Sequence, residues 1–175
     1  MRGRRSGFTL IEIIVTLAVM VVIMSIAAKS FNRGNSESNL NSAAETLASV
    51  IRSGAMSALG GEQFQLATPA SWGIFLDPVE QEYTLFADLD GDDEYDTNEK
   101  HSVVSMTKNI VIYAIYFDSA GWGEGQLNFR INTAEPYFSG VAVTSETGDV
   151  EVQLQDSVTG AQKSIFINSL GAVSF

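Results

Sequence analysis

Closely spaced carboxylates in residues 88–99 (DLDGDDEYDTNE) could bind a divalent cation. Counted from Asp88, acidic side chains occupy positions 1, 3, 5, 9 and 12 of an EF-hand-type loop, and position 7 can offer its backbone carbonyl. Calcium takes about six to eight hard oxygen ligands, which favours Ca²⁺ over Mg²⁺ for so many acids. We therefore predict a Ca²⁺ site in this segment, hereafter the acidic loop. The six predicted ligand residues are Asp88, Asp90, Asp92, Glu94, Asp96 and Glu99.

Two features of the acidic loop depart from the EF-hand pattern. Position 6 is Asp93, where glycine normally permits the sharp turn, although Gly91 lies nearby. A strand-like segment at residues 83–87 precedes the loop, where an EF-hand has a helix. We expect the side chains of Asp93 and Tyr95 to point away from the ion. A solvated acidic loop without an ion is the alternative interpretation, because runs of charge are usually solvent-exposed.

A single acid, Glu12, lies in an otherwise apolar segment at residues 8–28, which follows three arginines. As a helix, this 21-residue segment would span about 31 Å, close to the hydrocarbon thickness of a bilayer. An unpaired carboxylate in lipid is costly. Cleavage between Gly7 and Phe8 would place a new α-amino cation one helical turn from Glu12. Amine and carboxylate of adjacent subunits could then pair and set the register between subunits.

Two other interpretations of the N-terminal segment remain open. A secretory signal peptide could be cleaved near the small residues at 25–27, whereas a plain membrane anchor would need no cleavage. The three arginines before the apolar segment outnumber Lys29 and Arg33 after it. This bias predicts a cytoplasmic N-terminus and an exported C-terminal part.

The basic leader, Gly7, Phe8, the sequence TLIE ending at Glu12 and the apolar helix together resemble the class III signal of type IV pilins and type II secretion pseudopilins. The resemblance implies cleavage by a prepilin peptidase, N-methylation of Phe8, and a role for Glu12 in assembly. It also implies, as partners, other pilins and the platform and ATPase of the assembly machine. The segments NLNSAAETLASVIRSGAMSAL, YTLFADLDGD and SIFINSLGAVSF are similar to GspH/FimT-type minor pseudopilins. This sequence departs from such proteins at Lys29, where many major pilins have proline, and at Ala172, where the family usually has arginine.

Composition argues against nucleic-acid binding and offers little for catalysis. The net charge of −11 repels phosphate backbones. The chain has no cysteine, which excludes a disulfide and a thiolate metal site. His101 is the only histidine and no nucleophile-elbow motif is present, so we expect a surface histidine and a protein that is not an enzyme. Trp72 and Trp122 are predicted to fill core and turn positions, with an exposed partner contact as the alternative.

Apolar periodicity predicts an α+β fold. Residues 40–59 repeat with helical spacing and end at two glycines, whereas the polar residues 30–39 could be either a weak helix or a short break. Turn residues at 146–149 and 156–162 are typical of hairpin connections. Eight segments with period-two alternation predict strands: 72–77, 83–87, 109–117, 127–131, 140–145, 150–155, 164–168 and 172–175.

The expected organisation is a long N-terminal helix, membrane-embedded in its first half, whose distal half packs on one face of an antiparallel β-sheet domain. Its parts would be a leader at 1–7, a transmembrane or filament-core helix at 8–28, an amphipathic continuation at 29–60, and a β-rich head at 61–175 that carries the acidic loop.

The expected function is that of a structural minor pilin or pseudopilin in a type II secretion or type IV pilus filament. Before assembly it would be a single-pass inner or cytoplasmic membrane protein with a periplasmic or extracellular head. The alternative is an exported or membrane-anchored calcium-dependent binding module that does not polymerise.

Overall fold

One helix of 51 residues, α1 (Leu10–Gly60), precedes all of the strands. The computed structural model describes residues 9–107, 109–117, 120–144 and 146–175, and within α1 its description of side chains leaves out residues 27–29 and 31–33. At 1.5 Å per residue, α1 is about 76 Å long. The polar segment 30–39 is helical, so the break that the sequence allowed there does not occur. The helix ends at the glycine pair as predicted, because Gly61 adopts a left-handed conformation with a φ of 58°.

The two ends of α1 differ in exposure. Apolar side chains in the N-terminal part are not covered by the rest of the chain, from Leu10 at 77% to Ile26 at 67% exposure. In the distal part Leu47 is fully buried and Ile51 is 1% exposed. Among the residues that the structure describes, no helix combines the length and the apolar character that crossing a membrane requires.

The strands form two antiparallel sheets. Among the described residues there are eleven strands: β1 (Ser71–Asp77), β2 (Glu82–Asp88), β3 (Lys100–Ser105), β4 (Ile110–Phe117), β5 (Ala120–Trp122), β6 (Gly125–Arg130), β7 (Pro136–Phe138), β8 (Val141–Ala142), β9 (Val150–Asp156), β10 (Gln162–Ile167) and β11 (Val173–Ser174). The six-stranded sheet has the order β3-β2-β1-β6-β7-β8, and the five-stranded sheet has the order β11-β10-β9-β4-β5.

Three strands were not predicted, and one predicted connection was wrong. The additional strands are β3, β5 and β7, while the predicted strand at 140–145 is reduced to the two residues of β8. The turn at 146–149 was predicted to connect a hairpin. It instead joins the two sheets, because β8 pairs with β7 whereas β9 pairs with β4 and β10. The other predicted hairpin, β9–β10, is present.

Helix α1 contacts strands of both sheets, including β1 and β6 in one and β9 and β10 in the other. The expectation of a helix over one sheet face is therefore too simple, since two sheets share the helix. Within β1, Trp72, Ile74 and Leu76 belong to the common apolar core. Because side chains alternate along a strand, Gly73 and Phe75 lie on the opposite, outer face of the six-stranded sheet.

Candidate functional site

The acidic loop connects β2 to β3 and is held against the outer face of the six-stranded sheet. The ring of Tyr95 stacks on Phe75 of β1, with centroids 5.2 Å apart, and contacts Phe86 of β2 at 5.4 Å. The amide Nδ2 of Asn128, on β6, donates a hydrogen bond of 3.0 Å to the backbone carbonyl of Asp93. Aromatic packing and a hydrogen bond thus attach the loop to three strands.

Gly73 makes room for this attachment. In the sheet register it pairs with Phe86 on one side and Asn128 on the other, and Asn128 pairs with Tyr137 of β7. Directly paired residues share a face, so all four lie in one row beneath the loop. A Cβ atom on Gly73 would overlap the amide oxygen of Asn128 and the ring of Phe86. The bulky neighbours that support the loop therefore require glycine at this point.

Three of the predicted metal ligands converge at one end of the acidic loop. One carboxylate oxygen from each of Asp88, Asp90 and Glu99 lies within 4.8 Å of the other two. Asp88 is fully buried and Glu99 is 1% exposed, whereas Asp90 lies in solvent. Hard oxygen ligands grouped in this way suit a divalent cation such as Ca²⁺.

Hydrogen bonds fix the orientation of the carboxylate of Asp88. Its Oδ1 accepts a hydrogen bond of 2.7 Å from the backbone N–H of Gly91. Its Oδ2 accepts bonds of 3.3 Å from the Ser71 hydroxyl and from the backbone N–H of Asp93. These donors close the loop around the first ligand position.

The carboxylate of Glu99 accepts hydrogen bonds from backbone N–H groups near both ends of the acidic loop. Its Oε1 accepts a hydrogen bond of 2.6 Å from the backbone N–H of Leu89, and its Oε2 accepts one of 3.3 Å from that of Asp96. A short 3₁₀ helix, Thr97–Glu99, directs the side chain back toward Asp88. First and last positions of the predicted twelve-residue site thus meet.

Burial is the main cause of the pKa shifts in this site. Desolvation raises the pKa of Asp88 and that of Glu99, and the backbone N–H donors oppose the rise. Neighbouring carboxylates add to it, Asp93 acting on the pKa of Asp88, and Asp88 and Asp90 acting on that of Glu99. A cation bound among the three carboxylates would offset this unfavourable negative charge.

The carboxylates of Asp92, Glu94 and Asp96 do not join this group, and the predicted ligand of Glu94, its backbone carbonyl, stays a prediction. Asp92 instead accepts a hydrogen bond of 2.8 Å from the backbone N–H of Glu94. The side chains of Asp92, Glu94 and Asp96 are exposed. The group therefore contains three of the six predicted residues.

Asp93 and Tyr95, which were expected to point away from the ion, contact the sheet. Asp93 has a φ of 65°, the left-handed conformation for which EF-hand loops use glycine at this position. Its Oδ1 accepts a hydrogen bond of 2.7 Å from the hydroxyl of Tyr137. Ser71, Asn128 and Tyr137 were absent from the sequence-based site, because only the strand register brings them to the loop.

At the N-terminus, Thr9 and Glu12 form a capping box that begins α1. The Glu12 N–H donates to the Thr9 hydroxyl at 3.4 Å, and the Thr9 N–H donates to the Glu12 carboxylate at 3.5 Å. The sequence TLIE carries this signature, an S/T-x-x-E pattern, which sequence reasoning did not use. Gly7 and Phe8, the predicted cleavage and methylation residues, lie outside the described residues.

His101 lies in the edge strand β3, with its exposed ring against two aromatic side chains. Its ring centroid is 5.4 Å from that of Trp72 and 5.8 Å from that of Phe64. These contacts give the histidine a packing role beside the end of the acidic loop.

Comparison with known proteins identifies the N-terminal segment. Residues 2–28 match the family described as "Prokaryotic N-terminal methylation motif". This class III prepilin signal supports a type IV pilin-like protein that is processed by a prepilin peptidase and assembles with other pilins. No curated protein and no solved structure matches the chain.

Proposed function

We propose that the protein is a minor pilin or pseudopilin subunit of the GspH/FimT type, in a type II secretion or type IV pilus filament. A prepilin peptidase would cleave after Gly7, and Phe8 would be N-methylated. The head would lie in the periplasm or outside the cell, on a single membrane-spanning segment with a cytoplasmic N-terminus, until assembly extracts the subunit into a filament. The proposed role is structural and assigns no catalytic step to the chain.

The observation that carries this proposal is the methylation motif at residues 2–28, continued by a single long helix. The first part of that helix exposes apolar side chains, including Ile11 and Val21 at 67% and 64%. Exposed apolar surface of this extent is unfavourable in water and suits burial in lipid or among the helices of other subunits. The acidic, β-rich head would then lie on the outside of the filament.

Mass spectrometry of the N-terminus tests the proposal. In cells that contain a prepilin peptidase we expect a chain that begins at Phe8 and carries one extra methyl group. In cells without the peptidase, and in a Gly7→Leu variant, the leader should remain attached. A mature chain that begins near residues 28–29, or one that keeps its leader beside an active peptidase, would contradict the proposal.

The alternative is an exported or anchored calcium-dependent binding module that does not polymerise. A different observation supports the calcium-binding part of this alternative. Asp88, Asp90 and Glu99 converge, and two of the three are buried. Ca²⁺ bound there would pin the acidic loop to the sheet and stabilise a head that has no disulfide. A calcium site is also compatible with a pilin subunit, so the two proposals are tested separately.

Thermal unfolding measured with millimolar CaCl₂ and with EDTA tests the calcium site. We expect Ca²⁺ to raise the melting temperature of the wild type and to leave that of an Asp88→Asn, Glu99→Gln double variant unchanged. MgCl₂ at the same concentration should have a smaller effect. Equal melting temperatures of the wild type in CaCl₂ and EDTA would remove the calcium site from the proposal.

A further inference from the structure

A tight turn between α1 and β1, hereafter the Leu66 turn (residues 64–67), exposes a leucine in an unfavourable conformation. Phe64 and Ala67 exchange backbone hydrogen bonds of 2.9 and 3.0 Å around Gln65 and Leu66. The φ angles of these two central residues are 51° and 67°, as in a type I′ turn, for which Asn-Gly is a preferred sequence. Leu66 stands where glycine is favoured and is 96% exposed. Its backbone conformation and its uncovered apolar side chain both cost free energy in the isolated subunit.

Neighbouring residues hold this turn in place. The ring of Phe64 packs edge-on against those of Trp72 and His101, with centroid distances of 6.2 and 5.8 Å. The side-chain Nε2 of Gln65 donates a hydrogen bond of 3.1 Å to the backbone carbonyl of Asn98. The backbone that carries the exposed leucine is therefore fixed, so a partner can bind it with little further loss of conformational entropy.

The Leu66 turn lies at the end of the head that is farthest from the apolar, N-terminal part of α1. The indole N–H of Trp72, near the start of β1, donates a hydrogen bond of 3.4 Å to the carbonyl of Glu62, just beyond the end of α1. Ile74 lies beside Gly54, earlier in the helix, where a Cβ would be 3.0 Å from it. Strand β1 therefore runs back along α1 toward the apolar part. Lipid around that part would not reach Leu66, which leaves protein to cover it.

An apolar cleft of about 580 Å³ lies at the opposite end of β1. Phe75, Val79 and Trp122 contribute to its lining, and Val79 is 82% exposed. The ring of Trp122 packs edge-on against Phe138 at 5.5 Å, which fixes one wall of the cleft. The volume falls within the range of small-ligand sites and leaves room for a turn that carries a leucine. With seven residues at about 3.3 Å each, β1 separates the Leu66 turn from this cleft by about 23 Å.

We infer that the Leu66 turn of one subunit inserts into this cleft of a second copy in the filament, an inference that rests on the proposed function. The proposed pairing of Glu12 with Phe8 of a neighbour requires parallel helices, shifted along the filament axis. The far end of one head then faces the near end of a head further along the axis. Complementary surfaces at opposite ends of one molecule form a heterologous contact, which continues from subunit to subunit without closing.

The small size of the contact makes it depend on the filament. One leucine and its turn bury far less than the roughly 1,200 Å² of a stable interface, so the heads alone should not associate in solution. Helices that already pack side by side raise the effective concentration of the two surfaces and allow a weak contact to form.

Paired cysteines test the contact in a chain that has none of its own. Leu66→Cys and Val79→Cys are combined in one full-length chain, which is produced with the peptidase and the assembly machine. Sheared filaments are then oxidised with copper phenanthroline. We expect a ladder of disulfide-linked oligomers on non-reducing gels, because each subunit is joined at both ends. The matched control combines Leu66→Cys with Val158→Cys, since Val158 is 73% exposed and lies outside the cleft, and should give no ladder.

A variant of the turn separates the contact from stability. Gln65→Asn combined with Leu66→Gly gives the turn its preferred sequence, so the melting temperature should rise by about 2–4 °C. The same variant should be depleted at least about fivefold in filaments when it competes with equal amounts of wild type, because it lacks the leucine. A turn with a purely structural role would show the higher melting temperature without the depletion.

Mass spectrometry of the N-terminus in the same samples distinguishes the two ways in which the cross-link can fail. A chain that begins at methylated Phe8 and occurs in filaments, but forms no ladder, would overturn this inference and leave the proposed function in place. A chain that keeps its leader and is absent from filaments would overturn the proposed function and this inference with it. An equal ladder in the Val158→Cys control, or undiminished incorporation of the turn variant, would also overturn the inference.

Discussion

Asp88 and Glu99 should make stability depend on pH differently in the empty acidic loop and in the loop with a bound cation. Burial raises the pKa of both carboxyl groups. Between the ordinary and the raised pKa, the folded chain holds protons that the unfolded chain has released. The stability gained from this protonation is therefore present at low pH and is lost as the pH rises through the raised value. A bound cation removes the effect, because it favours the ionised form of each group.

We expect this linkage to appear in melting temperatures between pH 7 and about pH 5. In EDTA, acidification should stabilise the wild type relative to an Asp88→Asn, Glu99→Gln double variant. In CaCl₂, acidification should instead destabilise the wild type relative to the variant, because protons compete with the ion for the carboxylates. The increase in melting temperature caused by Ca²⁺ should therefore decrease toward pH 5. Asp156, whose pKa hydrogen bonds hold below its usual value of 3.8, stays ionised over this range in both the folded and the unfolded chain. The comparison with the variant therefore isolates Asp88 and Glu99. Parallel pH profiles for the two proteins would contradict the prediction.

The hydroxyl of Tyr137 tests how firmly the loop is attached to the sheet. It donates a hydrogen bond of 2.7 Å to Asp93, and the tyrosine is 5% exposed. Tyr137→Phe should lower the free energy of unfolding by about 1–2 kcal/mol, because one partly buried hydrogen bond to a carboxylate is lost. Tyr113→Phe is the matched control, since Tyr113 is 54% exposed and should change stability by less than about 0.5 kcal/mol. Equal effects in chemical denaturation would show that the bond does not hold the loop.

At the scale of elements, long periodic segments were predictable and short ones were not. Helix α1 repeats its apolar stripe over several turns, and strands such as β4 and β9 alternate over seven or more residues. By contrast, β7 has three residues and starts at a proline, and β3 is an edge strand with mostly exposed side chains. Such strands exist because neighbours pair with them, and their own residues carry little pattern.

The residues of the candidate site also fall into a group that could be predicted from the sequence and a group that could not. The spacing of Asp88, Asp90 and Glu99 was visible in the sequence, because loop ligands are close along the chain. Ser71, Asn128 and Tyr137 were not visible, because their approach depends on the register of β1, β6 and β7. A one-residue slip in that register would move each of them to the other face of the sheet.

Two glycines of α1 should respond oppositely to the same substitution. Among the described residues, and apart from the nearby backbone of the helix itself, no heavy atom lies within 4 Å of the place a Cβ on Gly34 would occupy, whereas at Gly54 a Cβ would lie 3.0 Å from Ile74. Gly34→Ala should therefore stabilise the chain by up to about 1 kcal/mol through helix propensity. Gly54→Ala should destabilise it by about 1–2 kcal/mol, because the terminal methyl groups of Ile74 and Leu85 must shift within a packed core. Thermal unfolding followed at 222 nm measures both, and a stabilising Gly54→Ala would show that the packing tolerates the methyl group.

At the scale of the whole molecule, the two ends of α1 differ in how far the rest of the chain covers their apolar side chains. The distal part is buried against two sheets, while the N-terminal part exposes an apolar surface, which the proposed burial in lipid or among other subunits would cover. Glu12 lies on that exposed part, where its described partner is Thr9 of the same chain. This contact gives the acid a local role in starting the helix, beside the proposed pairing with the amino group of Phe8 in a neighbouring subunit.

A pair of variants distinguishes these two roles of Glu12. Thr9→Ala breaks the capping box and leaves the carboxylate, at a cost to the helix of about 1 kcal/mol. Glu12→Leu removes both the cap and the charge. In cells with the peptidase and the assembly machine, we expect both variants to be cleaved. Only Glu12→Leu should then be depleted at least about tenfold in sheared filaments relative to membranes. This variant would leave the amino cation of Phe8 in a neighbouring subunit buried without its partner, which costs about 3–5 kcal/mol. Filaments with as much Glu12→Leu as wild type, or an equal depletion of Thr9→Ala, would leave the acid with its capping role alone.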